Sequence, residues 1–300
     1  MAVWDKLAHP SDYVDDVDYS EHSSKKLIAV PLGILGLALL VLLVHFLLTG
    51  LPVSLGFEFT GGVSLQMQTD TPVDQIEQDF SNIEGVPAPD SVQAISGGAI
   101  VRYQPLDDDQ MGELQDFRDD EYPDASIEMV SPAHGLSLLY QSIGAVLFAF
   151  LLMTFVVFAF FRTFVPSMAI VASAASDMIV PIGVMTLLGI DVTLGTIPAI
   201  LLIIGYSIDS DILLTRNTLT GRRKKFYENV RNAMRTGVTM TTTSMAAMAV
   251  MAVSAHFFAI FILRDIGIIL FFGLGMDLIN TYMMNVAILR WHVLDRRGLR

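Results

Sequence analysis

The sequence predicts a membrane α-helical fold: six transmembrane helices, with a small α+β domain outside the membrane between helices 1 and 2. Three observations predict it. Hydrophobic residues make up 53% of the 300-residue chain and charged residues only 16%, a balance rare among soluble domains. Apolar runs of about 18 residues or more, the length that crosses a bilayer, recur along the chain. The long gap after the first run, residues 49–135, is acidic, with seventeen Asp or Glu against only Arg102 and Arg118.

In chain order, residues 1–26 form a polar, acidic tail and residues 27–48 the first span. That run is too long for the apolar core of a signal peptide and has no small-residue cleavage site close behind it, so no cleavable signal is expected. Residues 49–135 form the outside domain. Spans two to six occupy 136–290, at about 136–161, 164–188, 194–214, 236–256 and 264–289, and residues 291–300 are a short basic tail. Pro31, Pro166, Pro181 and Pro198 are no objection, because membrane helices tolerate proline.

The outside segment carries its own pattern. GGVSLQMQT alternates as a strand, and TPVDQIEQDFSNI reads as a helix opened by a threonine cap. SVQAIS and AIVRYQ read as a hairpin about Gly97-Gly98. LDDDQMGELQDFRDD reads as a second helix and ASIEMV as a last strand. The order βαββαβ is the ferredoxin-like arrangement. Dispersed acid on such a domain serves as a solvating surface.

Basic residues set the expected orientation. Lys25 and Lys26 precede span one, Arg162 separates spans two and three, and Arg222, Arg223, Lys224 and Lys225 separate spans four and five. Arg290, Arg296, Arg297 and Arg300 follow span six. With six spans all of these lie on one side, which places both termini in the cytoplasm and the acidic domain outside.

Ionisable residues inside spans mark functional sites, since each has to pair or face water. Asp177 lies in span three, Asp209 and Asp211 in span four, Arg235 at the start of span five and Asp277 in span six. Asp209 and Asp211, two residues apart, point to different sides of one helix, so only one faces the bundle easily. Asp209 is expected to do so and to titrate, with Asp211 tuning it. Asp177 sits among small residues, where a structural hydrogen bond and a proton relay are equally open readings. Arg235 reads either as a charge partner for an Asp or as an ordinary interfacial anchor, and Asp277 as packing or transport. His45 reads as interfacial and the methionines as packing. The chain has no cysteine, no P-loop and no metal-ligand spacing, so neither a cofactor nor a hydrolytic site is expected.

GFEFTGG, at Gly56, Glu58, Phe59, Gly61 and Gly62 just after span one, resembles the Gly-x-Asp-Phe-x-Gly-Gly signature of the SecD/SecF family, accessory subunits of the Sec protein-export machinery. GYSIDSDILLTRN in span four and RTGVTMTTTS in span five resemble that family's membrane motifs. The resemblance covers the whole chain, its length suits the SecF branch, and the acidity fits a halophilic archaeal member. It implies half of a resistance-nodulation-division type bundle, completed by a SecD-like subunit, and contact with a SecY-type channel and the translocating polypeptide within the cytoplasmic membrane. No nucleic-acid partner is expected. It also implies coupling to proton flow through the span-four carboxylate and Arg235. Three features depart from the family pattern: Glu58 replaces Asp, Asp209-Ser210 stands where bacterial members tend to have Asn-Asp, and Ser176-Asp177 where bacterial members often have His-Asp. Two other readings remain: a small-molecule or lipid exporter of the same superfamily, and a structural assembly factor whose buried charges only specify helix packing.

Overall fold

The computed structural model describes residues 23–95, 97–220 and 225–295. The greater part of the N-terminal tail, Arg222, Arg223, Lys224, Arg296, Arg297 and Arg300 lie outside the described residues.

The first long helix, α1, runs Ser24–Thr49 and ends on Gly50 in the left-handed region. After the short α2 (Phe57–Thr60) the α+β domain, the one expected outside the membrane, follows as β1 (Gly62–Gln68), α3 (Val73–Ser81), β2 (Ser91–Ile95), β3 (Gly98–Tyr103), α4 (Asp108–Glu121) and β4 (Ser126–Val130). The strands form one antiparallel sheet in the order β2-β3-β1-β4, with Leu65 facing Val101 on one side and Ile127 on the other. Strand alternation puts Val63, Leu65, Met67, Ala99, Val101 and Tyr103 on the face that packs on Ile76 and Phe80 of α3 and on Met111 and Leu114 of α4. Fully burying a Val, Leu, Ile, Phe or Met side chain there stabilises the domain by about 1.5–3 kcal/mol. The opposite face carries Ser64, Gln66 and Arg102. Asp107 and Gln110 close a capping box on α4. Helix α3 differs from expectation at its start: it opens on Pro72 without a side-chain cap, because the Thr71 hydroxyl bonds Thr69 Oγ1 at 2.8 Å instead.

Four more long helices follow: α5 (Pro132–Phe161), α6 (Phe164–Leu188), α7 (Ile197–Thr220) and α8 (Phe226–Phe257). Among the described residues, α1 and α5 to α8 are the five helices long and apolar enough to cross a membrane. Helix α9 (Phe261–Ile279) is as apolar along most of its length and is set apart by three charged residues, Arg264, Asp265 and Asp277. Its backbone continues helically through a π-helical segment, Asn280–Asn285, into α10 (Val286–Arg290) and a second π turn, Trp291–Asp295.

Helices α7 and α8 extend beyond their expected bounds. The extra turns are amphipathic, so a hydropathy window passes over them: Leu214, Thr218, Phe226, Val230 and Ala233 are buried, while Arg216 and Asn232 face out. The apolar HFFAIFILRD stretch is broken at Ala259, whose φ of 53° turns the chain between α8 and α9.

Helix α6 lies at the centre, with α1, α5, α7 and α9 against it. Gly183 lets α1 come close, since a Cβ there would lie 3.0 Å from the Ala38 Cβ. The outer faces of α1 and α5 expose Leu40, Leu43, Leu47, Phe148, Leu151 and Phe155, an apolar surface suited to lipid.

Candidate functional site

Where α6, α7 and α9 with its π-helical continuation meet, three carboxylates are almost wholly removed from solvent: Asp177, Asp211 and Asp277, each 0–1% exposed. Their partners are hydroxyls and amides. Ser207 Oγ donates to Asp177 Oδ2 at 2.6 Å, and Asn280 Nδ2 to Asp177 Oδ1 at 2.6 Å. Ser210 Oγ lies 2.9 Å from both oxygens of Asp277. Thr281 Oγ1 donates to Asp211 Oδ1 at 2.7 Å, and Asn285 Nδ2 to the same oxygen at 2.6 Å. Thr281 also reaches Asp277 Oδ1 at 3.2 Å, which joins the Asp211 and Asp277 parts into one network. The second oxygen of Asp211 is buried without a hydrogen-bond partner.

Local sequence explains this convergence. Ser173, Ala174 and Ser176 keep one face of α6 small, so α7 and α9 approach closely. Ser207, Ser210, Leu214 and Thr218 make the matching buried stripe of α7, at spacings of three and four residues. In the π segment that continues α9, i→i+5 winding slows rotation per residue and keeps Asn280, Thr281 and Asn285 turned toward the carboxylates. Such π segments are frequent at functional sites.

Magnitudes indicate what the network is for. One charged Asp at the centre of a spanning helix costs at least about 2.5–3.5 kcal/mol. A hydrogen bond between membrane helices contributes about 0.6 kcal/mol on average. The bonds to Asp177 therefore do not offset its burial, and stability alone gives no reason for a carboxylate where an apolar side chain would pack.

The structure brings Asp177 and Asp211 together and leaves Asp209 and Arg235 out of the cluster. Asp209 lies on the exposed face of α7 with Leu202, Tyr206 and Arg216. The expected orientation of the Asp209 and Asp211 pair is thus reversed, because the hydroxyl stripe, and not the exposed one, faces α6 and α9. Arg235 lies on the exposed face of α8, beside Thr236, Thr239 and Thr243 along a shallow groove. Sequence reasoning left Ser210, Asn280, Thr281 and Asn285 unassigned. Their signal was the run of small polar side chains at three- and four-residue spacing on otherwise apolar helices.

The glycine motif lies where the α+β domain meets the long helices. Phe59, 1% exposed, packs among Met185, Ile190, Val192 and Ile203 of the membrane helices and their loop. Gly56 N donates to Val192 O at 2.8 Å and Val192 N to Ser54 O at 2.9 Å, so the chain leaving α1 pairs with the loop between α6 and α7. Gly61 (φ 77°) and Gly62 (φ 137°) adopt conformations that disfavour other residues, and a Cβ on Gly62 would lie 2.3 Å from Tyr103 O. Glu58 is near Asp191 of that loop, together with Asp90, Asp265 and Arg102. Burial raises the Asp191 carboxyl above its ordinary range; Arg102 opposes the rise, and the three acids add to it.

Comparison with known proteins places this architecture. Residues 110–295 match the family model "Protein export membrane protein SecD/SecF, C-terminal". The chain is 44% identical to the protein-export membrane protein SecF of Haloferax volcanii over 93% of this chain and 96% of that one. It is 35% identical to SecF of Pyrococcus furiosus over 93% and 94%. Among solved structures, SecDF from Thermus thermophilus superposes with a TM-score of 0.69 at 22% identity, over 90% of this chain and 38% of that chain. This chain therefore spans well under half of that solved polypeptide. On the strength of the family model and these near full-length identities, the chain belongs to the SecD/SecF family of protein-export membrane proteins.

Proposed function

We propose that this chain is an accessory subunit of the Sec protein-export machinery, working with a SecD-like subunit beside a SecY-type channel to promote movement of polypeptides across the cytoplasmic membrane. The observation that carries this reading is the near full-length similarity to proteins named SecF, from Haloferax volcanii and Pyrococcus furiosus. Helix α9 and its continuation serve as a sixth span, their charged residues being turned inward or toward an end. The outside domain is ferredoxin-like, as the strand order β2-β3-β1-β4 supports. Both termini are cytoplasmic. The boundaries are a tail at 1–26, a span at 27–48, the outside domain at 49–135, spans two to six at 136–290 and a tail at 291–300.

Proton movement through membrane-buried residues drives the cycle in this reading. Asp177 and Asp211 hold and pass the proton together with Asp277, since three carboxylates cluster there with no basic group among their described hydrogen-bond partners, and like charges so close favour sharing a proton. The resemblance implies that bacterial members tend to carry a carboxylate where this chain has Ser210. Here Ser210 sits against Asp277, which supports Asp277 as the group that fills that role. Asp209 and Arg235, on exposed faces of α7 and α8, meet the SecD-like partner; left in lipid, such groups are costly. Gly56, Glu58, Phe59, Gly61 and Gly62 seat the outside domain.

The test is depletion of this chain in its own host, with export of a secreted reporter followed by pulse labelling and with affinity purification of the tagged chain. The reading predicts at least severalfold slower export and recovery of a SecD-like chain. Normal export with no SecD-like partner would overturn it.

A further inference from the structure

An apolar cleft of about 370 Å³ lies where the linker after α1 meets α5, α6 and the start of α7. Among the described residues its lining is leucine, isoleucine and valine with Pro52, and no polar side chain is among them. Val53 and Leu55 of the linker, Val146 of α5, Ile182 of α6, Val192 of the α6–α7 loop and Ile200 of α7 form its walls. The backbone of Val192 is already bonded to Ser54 and Gly56. Leu51, Ile143 and Leu147 also line the cleft and are exposed, and Ile143, Leu147 and exposed Leu151 follow one another at four-residue steps along α5. The cleft therefore opens onto the outer apolar face of α5, the face suited to lipid. Helix α1 ends at Thr49, just short of the cleft, and the cleft reaches only to about the midpoint of α5. It thus lies in the half of the bilayer that borders the α+β domain.

We propose that this cleft holds one hydrocarbon chain of a membrane lipid, drawn from the leaflet that borders the α+β domain. Water finds no partner on such walls, and an empty cleft forfeits contacts on every side. An extended polypeptide would leave its backbone N–H and C=O groups unpaired there. One turn of a helix, about 10 Å wide and about 5.4 Å long, takes up roughly 420 Å³, more than the cleft offers. A hydrocarbon chain is slender, carries no polar atom and enters directly from the surrounding bilayer. Leu55 and Val192, which pair as a β-bridge, both belong to the wall, so the bound chain packs on the join between the linker and the α6–α7 loop. The proposal needs only the membrane setting and is independent of the export reading.

Labelling from within the bilayer tests this. The complete chain, purified from its host membrane, is returned to vesicles containing a phospholipid with a diazirine midway along one acyl chain. After illumination, the labelled residues are located by mass spectrometry of peptides. The expected result is label on Ile182 or Ile200, inside the cleft, as well as on Leu151 of the outer face. Val146→Trp fills the cleft and should lower the inside label severalfold while that on Leu151 stays level. Val146→Leu, a much smaller intrusion, should keep most of it. Label on Leu151 with none inside the cleft, or inside label that Val146→Trp leaves unchanged, would overturn the proposal. In host membranes, benzoylphenylalanine placed at Ile143 should form lipid adducts. A cross-linked protein in their place would mean that a partner chain covers the cleft, and would equally overturn it.

Discussion

Ser210 illustrates how one side chain can be legible in type and illegible in role. Between Asp209 and Asp211 it reads as an interruption, yet its hydroxyl lies 2.9 Å from both oxygens of a carboxylate 67 residues away. Nothing local in the sequence gives that contact. The Asp209 and Asp211 pair shows the same limit: a two-residue offset establishes that they diverge, and only the neighbouring helices decide which one turns inward. Tyr122, in the outside domain, gives a prediction at this scale. Its hydroxyl donates to Asp79 Oδ2 at 2.9 Å. Burial first, then this bond, raise its pKa from 10.0 to about 12. The folded state thus holds the phenolic proton more tightly than the unfolded state. The contribution is fully present below pH 10 and disappears as pH rises toward 12. Denaturant titration of the protein in detergent across that window should show this loss, and Tyr122→Phe should make the dependence shallower.

Among elements, strands and outside helices were the most legible, because period-two alternation in GGVSLQMQT and AIVRYQ states which residues face the helices. Five of the six expected spans were equally clear, as the five long apolar helices among the described residues. Ends were less so, since the amphipathic turns at Leu214–Thr220 and Phe226–Arg235 depend on packing and not on hydropathy. The π-helical winding of Asn280–Asn285 had no sequence signal, as it arises from helix contacts around the carboxylates. The packing of α7 on the π segment after α9 can be checked directly. Ser210 Oγ and Thr281 Oγ1 are 3.4 Å apart, and the chain has no cysteine of its own. The double variant Ser210→Cys, Thr281→Cys should form an intramolecular disulfide under mild oxidation, detected by altered gel mobility. A failure to cross-link in a normally folded protein would mean that the two helices meet in another register.

At the scale of the molecule, the carboxylate cluster and the domain seat share the same two helices. Helices α6 and α7 carry Asp177, Ser210 and Asp211, and the loop between them holds Val192, to which the linker after α1 is bonded. Phe59 packs against the same loop and helices. A change in how α6 and α7 meet at the cluster is therefore placed to reach the outside domain through packed side chains and backbone bonds. The energetic balance gives the reason to look for such a change: buried carboxylates contribute less to stability than they cost. The most direct test is export of a reporter polypeptide by vesicles holding the complete complex, measured with and without a proton gradient, for Asp211→Asn and Asp277→Asn. Both variants should assemble with the SecD-like partner at the normal level and lose the gradient-dependent part of the rate, keeping only the rate seen without a gradient. Normal assembly with the full gradient-dependent rate retained would contradict the account.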